Sequence, residues 1–375
     1  MNYAAFRAIL TLSATDNMSR TVNAAIGNAQ TRMAKFGARA QGMGRDMMMG
    51  GGIIAAPFVA ATKAAVDFEE AFTGVTKTWR GTETELENTR KGILAMSRSA
   101  QNTATAEELS AIAESAGQLG IQTKNVLTFT KTIADLKATT NLGDEAAPQF
   151  AKFANITRMP QERFSNLAST VVELGNNMAT TEADIVNFGM RIAGAGAQVN
   201  IPQSKIMGLA AGLSSVGLEA EAGGTAISKT LIELSNRVKT GGAGLAEVAG
   251  ISGMSGAAFA KSFQDDAAGA TVSFIEGLGK IKQEGGNVFQ TLDKLGMGEI
   301  RLRDTLLRAS GAGDLLRKSL NLSSTAWDKN EALTKEAETR YKTTASQMKV
   351  FKNNVTALAI TVGNAIIPAL TSMVG

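Results

Sequence analysis

Residues Asp184–Arg237 read DIVNFGMRIAGAGAQVNIPQSKIMGLAAGLSSVGLEAEAGGTAISKTLIELSNR. The spacing predicts two amphipathic helices joined by turns of small residues. Pro202 suits a first helical turn, where an N–H has no intrahelical partner to lose. Ile206, Leu209, Ala210 and Leu213 then fall on one face, and Gly217 accepts the left-handed backbone that stops a helix. After Glu219–Gly224 a second helix carries Ile227, Leu231 and Leu234 on one side, with Lys229, Glu233 and Arg237 elsewhere. This is a packing pattern of very small side chains, with no grouping of reactive ones.

Working outward, the same punctuation recurs. Thr82–Glu85 and Thr105–Glu108 fit the capping box, in which a hydroxyl and a carboxylate satisfy free N–H groups at a helix start. Thr181–Asp184 is a weaker version. Val126, Phe129, Ile133 and Leu136 form a stripe in steps of three and four. Gly143, Gly175 and Gly217 read as helix stops, and Pro148 and Pro160 as first-turn or boundary residues. Alternating β-branched runs are scarce, so the expected class is all-α: long amphipathic N- and C-terminal helices flanking a core of many short helices.

Four parts are expected. Residues 1–50 hold a basic heptad-patterned helix, clearest over Asp16–Met47. Its seam is Val22, Ile26, Ala29, Met33, Phe36, Ala40, Met43 and Met47, the pattern of helices wound on each other. Between Asn17 and Arg45 there is no acid, only Arg20, Arg32, Lys35, Arg39 and Arg45. Such a helix either packs on its own chain or associates with copies against an acidic partner that meets those five cations. Residues 51–65, within and just beyond the apolar run MMMGGGIIAAPFVAA (Met47–Ala61), read as a Gly/Pro-containing joint. The run is shorter than the ~20 residues a membrane span needs. Residues 66–322 are a helical core with an internal joint near 241–256, where the sequence is GGAGLAEVAGISGMSG. Residues 323–375 hold a second long helix, Thr325–Val362. Its seam includes Tyr341, Met348, Phe351, Val355 and Leu358, and the regular pattern ends at Pro368.

Composition removes whole classes of chemistry. The 375 residues include no Cys and no His, so disulfides, thiolate zinc sites and Ser–His–Asp or Cys–His catalysis are excluded. GAGA at Gly194–Ala197 lacks the third glycine of a dinucleotide fingerprint, and no phosphate-binding loop is present. The paired carboxylates Glu69–Glu70 and Asp265–Asp266 read as solvated charges, since adjacent helical residues do not face one site. No catalytic, cofactor-binding or metal-binding residue is expected, and no enzymatic activity. The net charge of +4 is too small to argue for nucleic acid, and DNA binding is not expected.

The Asp184–Arg237 stretch resembles the core of phage tail tape measure proteins of the TP901 type. Other pieces agree in order: AAPFVAATKAAVDFEEAF (Ala55–Phe72), ESAGQLGIQ (Glu114–Gln122), ATTNLGDEAA (Ala138–Ala147), LDKLGMGEIRLRDTLL (Leu292–Leu307) and GNAIIPAL (Gly363–Leu370). The likeness covers roughly residues 55–370. It implies an elongated helical protein in the tail tube lumen of the virion, made in the host cytoplasm, that sets tail length and leaves ahead of the DNA. Implied partners are copies of itself, the tail tube, the tail tip, tail assembly chaperones and, at infection, a host membrane. The residues also admit a different class, a membrane-active helical pore former, motivated by Met47–Ala61 and Ala365–Val374.

Overall fold

The computed structural model describes residues 55–374, and among them it holds seventeen α-helices and no strand. The all-α expectation is met. The expected basic helix over Asp16–Met47, with its seam and its cations, lies outside the described residues.

Two compact units divide the chain: one formed by residues up to Glu114 together with those from Tyr341 on, the other by Ser115–Arg340. The sequence placed its boundaries at 65/66 and 322/323. Local composition does not encode that a C-terminal helix closes on one near the other end of the chain.

The first unit contains α1 (Ala55–Thr78), α2 (Glu83–Ser97), the start of α3 (Ala106–Gln118) and the long α17 (Thr344–Val374). α1 buries Ala61, Ala65, Phe68, Phe72 and Val75, a 4–3–4–3 stripe. α2 starts at the expected capping box: Glu85 N donates to Thr82 Oγ1 (3.2 Å) and Thr82 N to Glu85 Oε2 (2.8 Å). The Thr105–Glu108 box closes in the same way, at 2.8 and 3.2 Å. The joint expected over 51–65 is helical from Ala55, because Pro57 falls in the first turn of α1, where it costs no hydrogen bond.

In the second unit the core is built from α4 (Val126–Thr139), α5 (Ala146–Thr157), α6 (Phe164–Asn177), α7 (Glu182–Gln198), α8 (Gln203–Ser215), α9 (Ala220–Thr240) and α15 (Gly313–Lys329). Phe129 and Phe164 meet edge to face at 4.7 Å. Aromatics are few, yet among the described residues eight phenylalanines are fully buried, so the scarce large side chains are concentrated where they bury most surface.

Asp184–Arg237 folds as three helices. α7 holds AGAGA. Pro202 is the N-cap of α8, and Gly217 follows it at φ +74°. The Glu219–Gly224 turn is a correction: α9 begins at Ala220, and its two glycines lie inside the helix because α7 leaves no room for side chains there. A Cβ on Gly223 would sit 3.1 Å from the Phe188 ring, and one on Gly224 2.5 Å from Arg191 Cβ. Gly175 likewise lies inside α6, with the Glu182 side chain 2.6 Å from where its Cβ would be.

The internal joint near 241–256 is mostly helix: α10 (Gly242–Ile251) runs between turns that take positive φ at Gly241, Gly242 and Gly253. α11 (Gly256–Asp265), α12 (Ala267–Gln283), α13 (Val288–Lys294) and α14 (Ile300–Ser310) follow. The Asp pair is not merely solvated. Asp266 caps α12 through Gly269 N (3.0 Å) and holds Lys205 Nζ at 2.7 Å.

The expected helix Thr325–Val362 is three pieces: the end of α15, then α16 (Ala332–Tyr341), then α17. Asn330 breaks the first junction in the left-handed region (φ 50°), and it donates to Ser165 and accepts from Ser169, both on α6. At the second, Ser346 N donates to Thr343 Oγ1 (3.3 Å). Pro368 does not end the pattern but lies within α17.

Candidate assembly surface

The exposed helix faces are the places where another chain can meet this one, and α17 shows which of its faces is already spent. Toward α1 and α2 it buries Ser346, Val350, Asn353, Ala357 and Ile360. Gly363 packs so closely that a Cβ there would lie 2.2 Å from the Ala61 carbonyl oxygen and 2.6 Å from Ala65 Cβ. Asn353 Nδ2 donates to the Thr103 and Ala104 carbonyls at 3.1 and 3.0 Å, clasping the loop before α3. Gly363 lets the backbones approach, with Val350 and Ile360 supplying buried apolar area beside it.

Three larger apolar side chains of the helix point away. Met348 is 65% exposed, Val355 51% and Phe351 42%, and Leu358 continues the stripe half-buried. Three of the C-terminal seam residues therefore remain exposed among the described residues, with Leu358 half-buried beside them. Tyr341 does not join them, since it ends α16 and is 3% exposed. Lys349 and Lys352 flank the stripe, and no acid follows Glu338 in the sequence. The helix from Thr344 to Pro368 is also long and apolar enough to cross a membrane, by length and composition alone.

Sequence reasoning missed a second uncovered pair. Ile300 is 74% exposed and Phe289 51%, and the Arg303 guanidinium lies 5.0 Å from the Phe289 ring centre, within the range of a cation–π contact. The signal was Ile300 itself, an apolar residue directly after the Glu299 cap of α14. Behind it, Arg237 binds three segments together. It holds Glu233 on its own helix (2.8 Å), Glu247 on α10 (3.4 Å) and the Leu295 carbonyl after α13 (2.7 Å).

An all-α protein with close small-residue packing inside and apolar stripes left outside is equipped to assemble with other chains. The chain belongs to the family of phage-related minor tail proteins, whose profile matches residues 90–299, more than half of its 375 residues. It is thus a structural protein of a phage tail, associated with the virion and with other tail components. No curated protein and no solved structure matches it.

Proposed function

We propose that this is a tail tape measure protein of the TP901 type, or the core part of one. It scaffolds assembly of the tail tube, sets its length from within the lumen and is ejected with the DNA. In this reading the protein is not an enzyme and works through the shape and adhesion of its helices. The match over residues 90–299 carries the reading, and the order of the six quoted segments narrows it to the tape measure type. The uncovered stripe of α17 supplies the adhesion: Met348, Phe351, Val355 and Leu358 pair with copies of the same helix or with the tube. Burial of apolar area on this scale favours association by about 25 cal/mol per Å² before the costs of ordering.

Deleting whole heptads from the helical parts tests the ruler. Tails assembled with the variant are expected to shorten by about 10 Å per heptad, the rise of seven helical residues. Tails of unchanged length in electron micrographs would argue against that role for the deleted part.

A second reading, membrane activity, is favoured by one observation, the length and apolarity of α17. Dye release from liposomes by the purified protein would select it over the first.

A further inference from the structure

We infer that Ile121–Thr240 is one helical hairpin used three times in tandem, with Gln161 and Gln203 as equivalent residues that fasten each hairpin to the one before it. The inference goes beyond the tail role and does not depend on it.

Each hairpin opens on the same turn. A residue in the left-handed region, Gly120 (φ +80°), Arg158 (52°) or Asn200 (59°), is followed by a buried apolar one, Ile121, Met159 or Ile201. The N–H of that apolar residue donates to the carbonyl five residues back, at 2.9, 2.9 and 2.8 Å, the bond that closes a helix end. The next residue is Gln122, Pro160 or Pro202, with φ of −62°, −57° and −58° and ψ of 142°, 133° and 147°. The first helix of each hairpin then buries corresponding positions. Five residues past the apolar one stand Val126, Phe164 and Ile206, and eight past it Phe129, Leu167 and Leu209, none more than 2% exposed. Nine past it stand Ala168 and Ala210, both buried, and in the first hairpin Thr130. The Thr130 hydroxyl is buried with no hydrogen-bond partner among the described residues. The equivalence accounts for that orphan, since the position is an alanine slot.

The hairpins also stack in order. Their first helices, α4, α6 and α8, pack in sequence, and so do their second helices, α5, α7 and α9. Along the edge that carries the turns, Gln161 Nε2 donates to the Gly120 carbonyl and Gln203 Nε2 to the Thr157 carbonyl, both at 3.1 Å. Carbonyls at a helix end lack an intrahelical donor, and each glutamine supplies one from the following hairpin. Gln161 Oε1 also accepts from Gln122 N (2.8 Å). At the other edge Asn141 Oδ1 accepts from Ala183 N (3.2 Å), and the Thr180 and Ser214 hydroxyls share a hydrogen bond (2.7 Å).

The turn alone does not mark the unit, because Gly217–Leu218 and Gly296–Met297 repeat it. Neither is followed by glutamine two residues on. The series ends after α9, where Gly241 and Gly242 follow with no buried apolar residue behind them. The hairpins span 121–158, 159–200 and 201–240, which is 38, 42 and 40 residues, and share few identical residues. Unequal lengths hide such a repeat from a search at fixed period.

In a tandem array each unit leans on its neighbours, so a whole hairpin can be removed and the next takes its seat. Deleting Met159–Asn200 from the full chain joins Arg158 to Ile201. The α8 contact with α15 and the α9 contact with α14 are kept. The shortened chain is expected to stay helical by circular dichroism and to unfold cooperatively in urea. Its midpoint should fall, because Ser165 and Ser169, the partners of Asn330, leave with the hairpin. Deleting Met178–Asn200, one helix of that hairpin, should abolish cooperative unfolding. Hydrogen exchange at the Gln122 amide then reports which glutamine sits over the first turn. In the parent, Gln161→Met should speed that exchange several-fold and Gln203→Met should leave it unchanged. In the shortened chain Gln203 takes the place of Gln161, so Gln122 stays protected and Gln203→Met should now release it. A shortened chain without cooperative unfolding would overturn the inference. So would a single-helix deletion that keeps it, or a Gln122 amide indifferent to Gln203→Met in the shortened chain.

Discussion

Gly208 and Gly212 lie on the face of α8 that meets α15. A Cβ on Gly208 would stand 2.5 Å from Ser323 Oγ and 3.0 Å from the Ser319 carbonyl oxygen, and one on Gly212 2.8 Å from Leu316 Cδ2. Gly194, in the AGAGA of α7, has nothing within 4 Å of that position. Gly208 and Gly194 therefore answer the same substitution in opposite ways. Gly208→Ala should cost about 1–3 kcal/mol by overpacking. Gly194→Ala should gain about 0.5–1 kcal/mol from helix propensity. Urea unfolding of the purified variants measures both, and equal shifts would show that the close approach is absent. Arg237 offers a third case. Arg237→Lys keeps the charge but cannot reach Glu233, Glu247 and the Leu295 carbonyl together, since an ammonium lacks the planar fork. A loss of about 1–3 kcal/mol is expected, the range for leaving a polar group unsatisfied, with no loss if the guanidinium merely solvates.

At the scale of the helix, signals confined to a few neighbouring residues were readable and those made by distant ones were not. Thr82–Glu85 and Gly217 could be named in advance because the partners of each are within a turn. Asn330 could not, because its left-handed break is held by Ser165 and Ser169 on another helix. The α17 stripe shows a subtler gap. Periodicity found the apolar residues but could not tell that α1 would take the face made of Gly363, Ala357 and Asn353. That uncovered stripe gives a direct test. Met348→Asp, Phe351→Asp and Val355→Asp together should abolish concentration-dependent association in sedimentation while leaving circular dichroism unchanged. Association that survives the three charges would remove α17 from the assembly surface. The cap of α2 is tested by pH. The Thr82 N–H, and after it the Thr82 hydroxyl, hold the Glu85 carboxyl below the ordinary value of 4.5. The stability it lends is complete above that value and disappears as pH falls through the lowered one. Amides of the first turn of α2 should therefore lose protection from hydrogen exchange, relative to those of mid-helix, as the pH is taken below 4.5. Glu85→Gln should remove that difference.

At the scale of the molecule, helix punctuation and the scarcity of alternating β-branched runs sufficed to read an all-α protein, and the absence of His and Cys excludes chemistry that needs an imidazole or a thiol. The division into units was not readable, since it depends on α17 meeting α1 across 265 intervening residues, 79–343. The first unit is thus assembled from two stretches of chain, with the whole of Ser115–Arg340 between them. On a ribosome this separation becomes a delay. α1 emerges early, with Phe68, Phe72 and Val75 ready to be buried, but α17 is still unsynthesised. At the usual pace of about 5–20 residues per second, the wait lasts roughly 13–50 s. For that interval the stripe that α17 comes to cover waits for its partner helix, and a holding factor acting on nascent chains would find its target there.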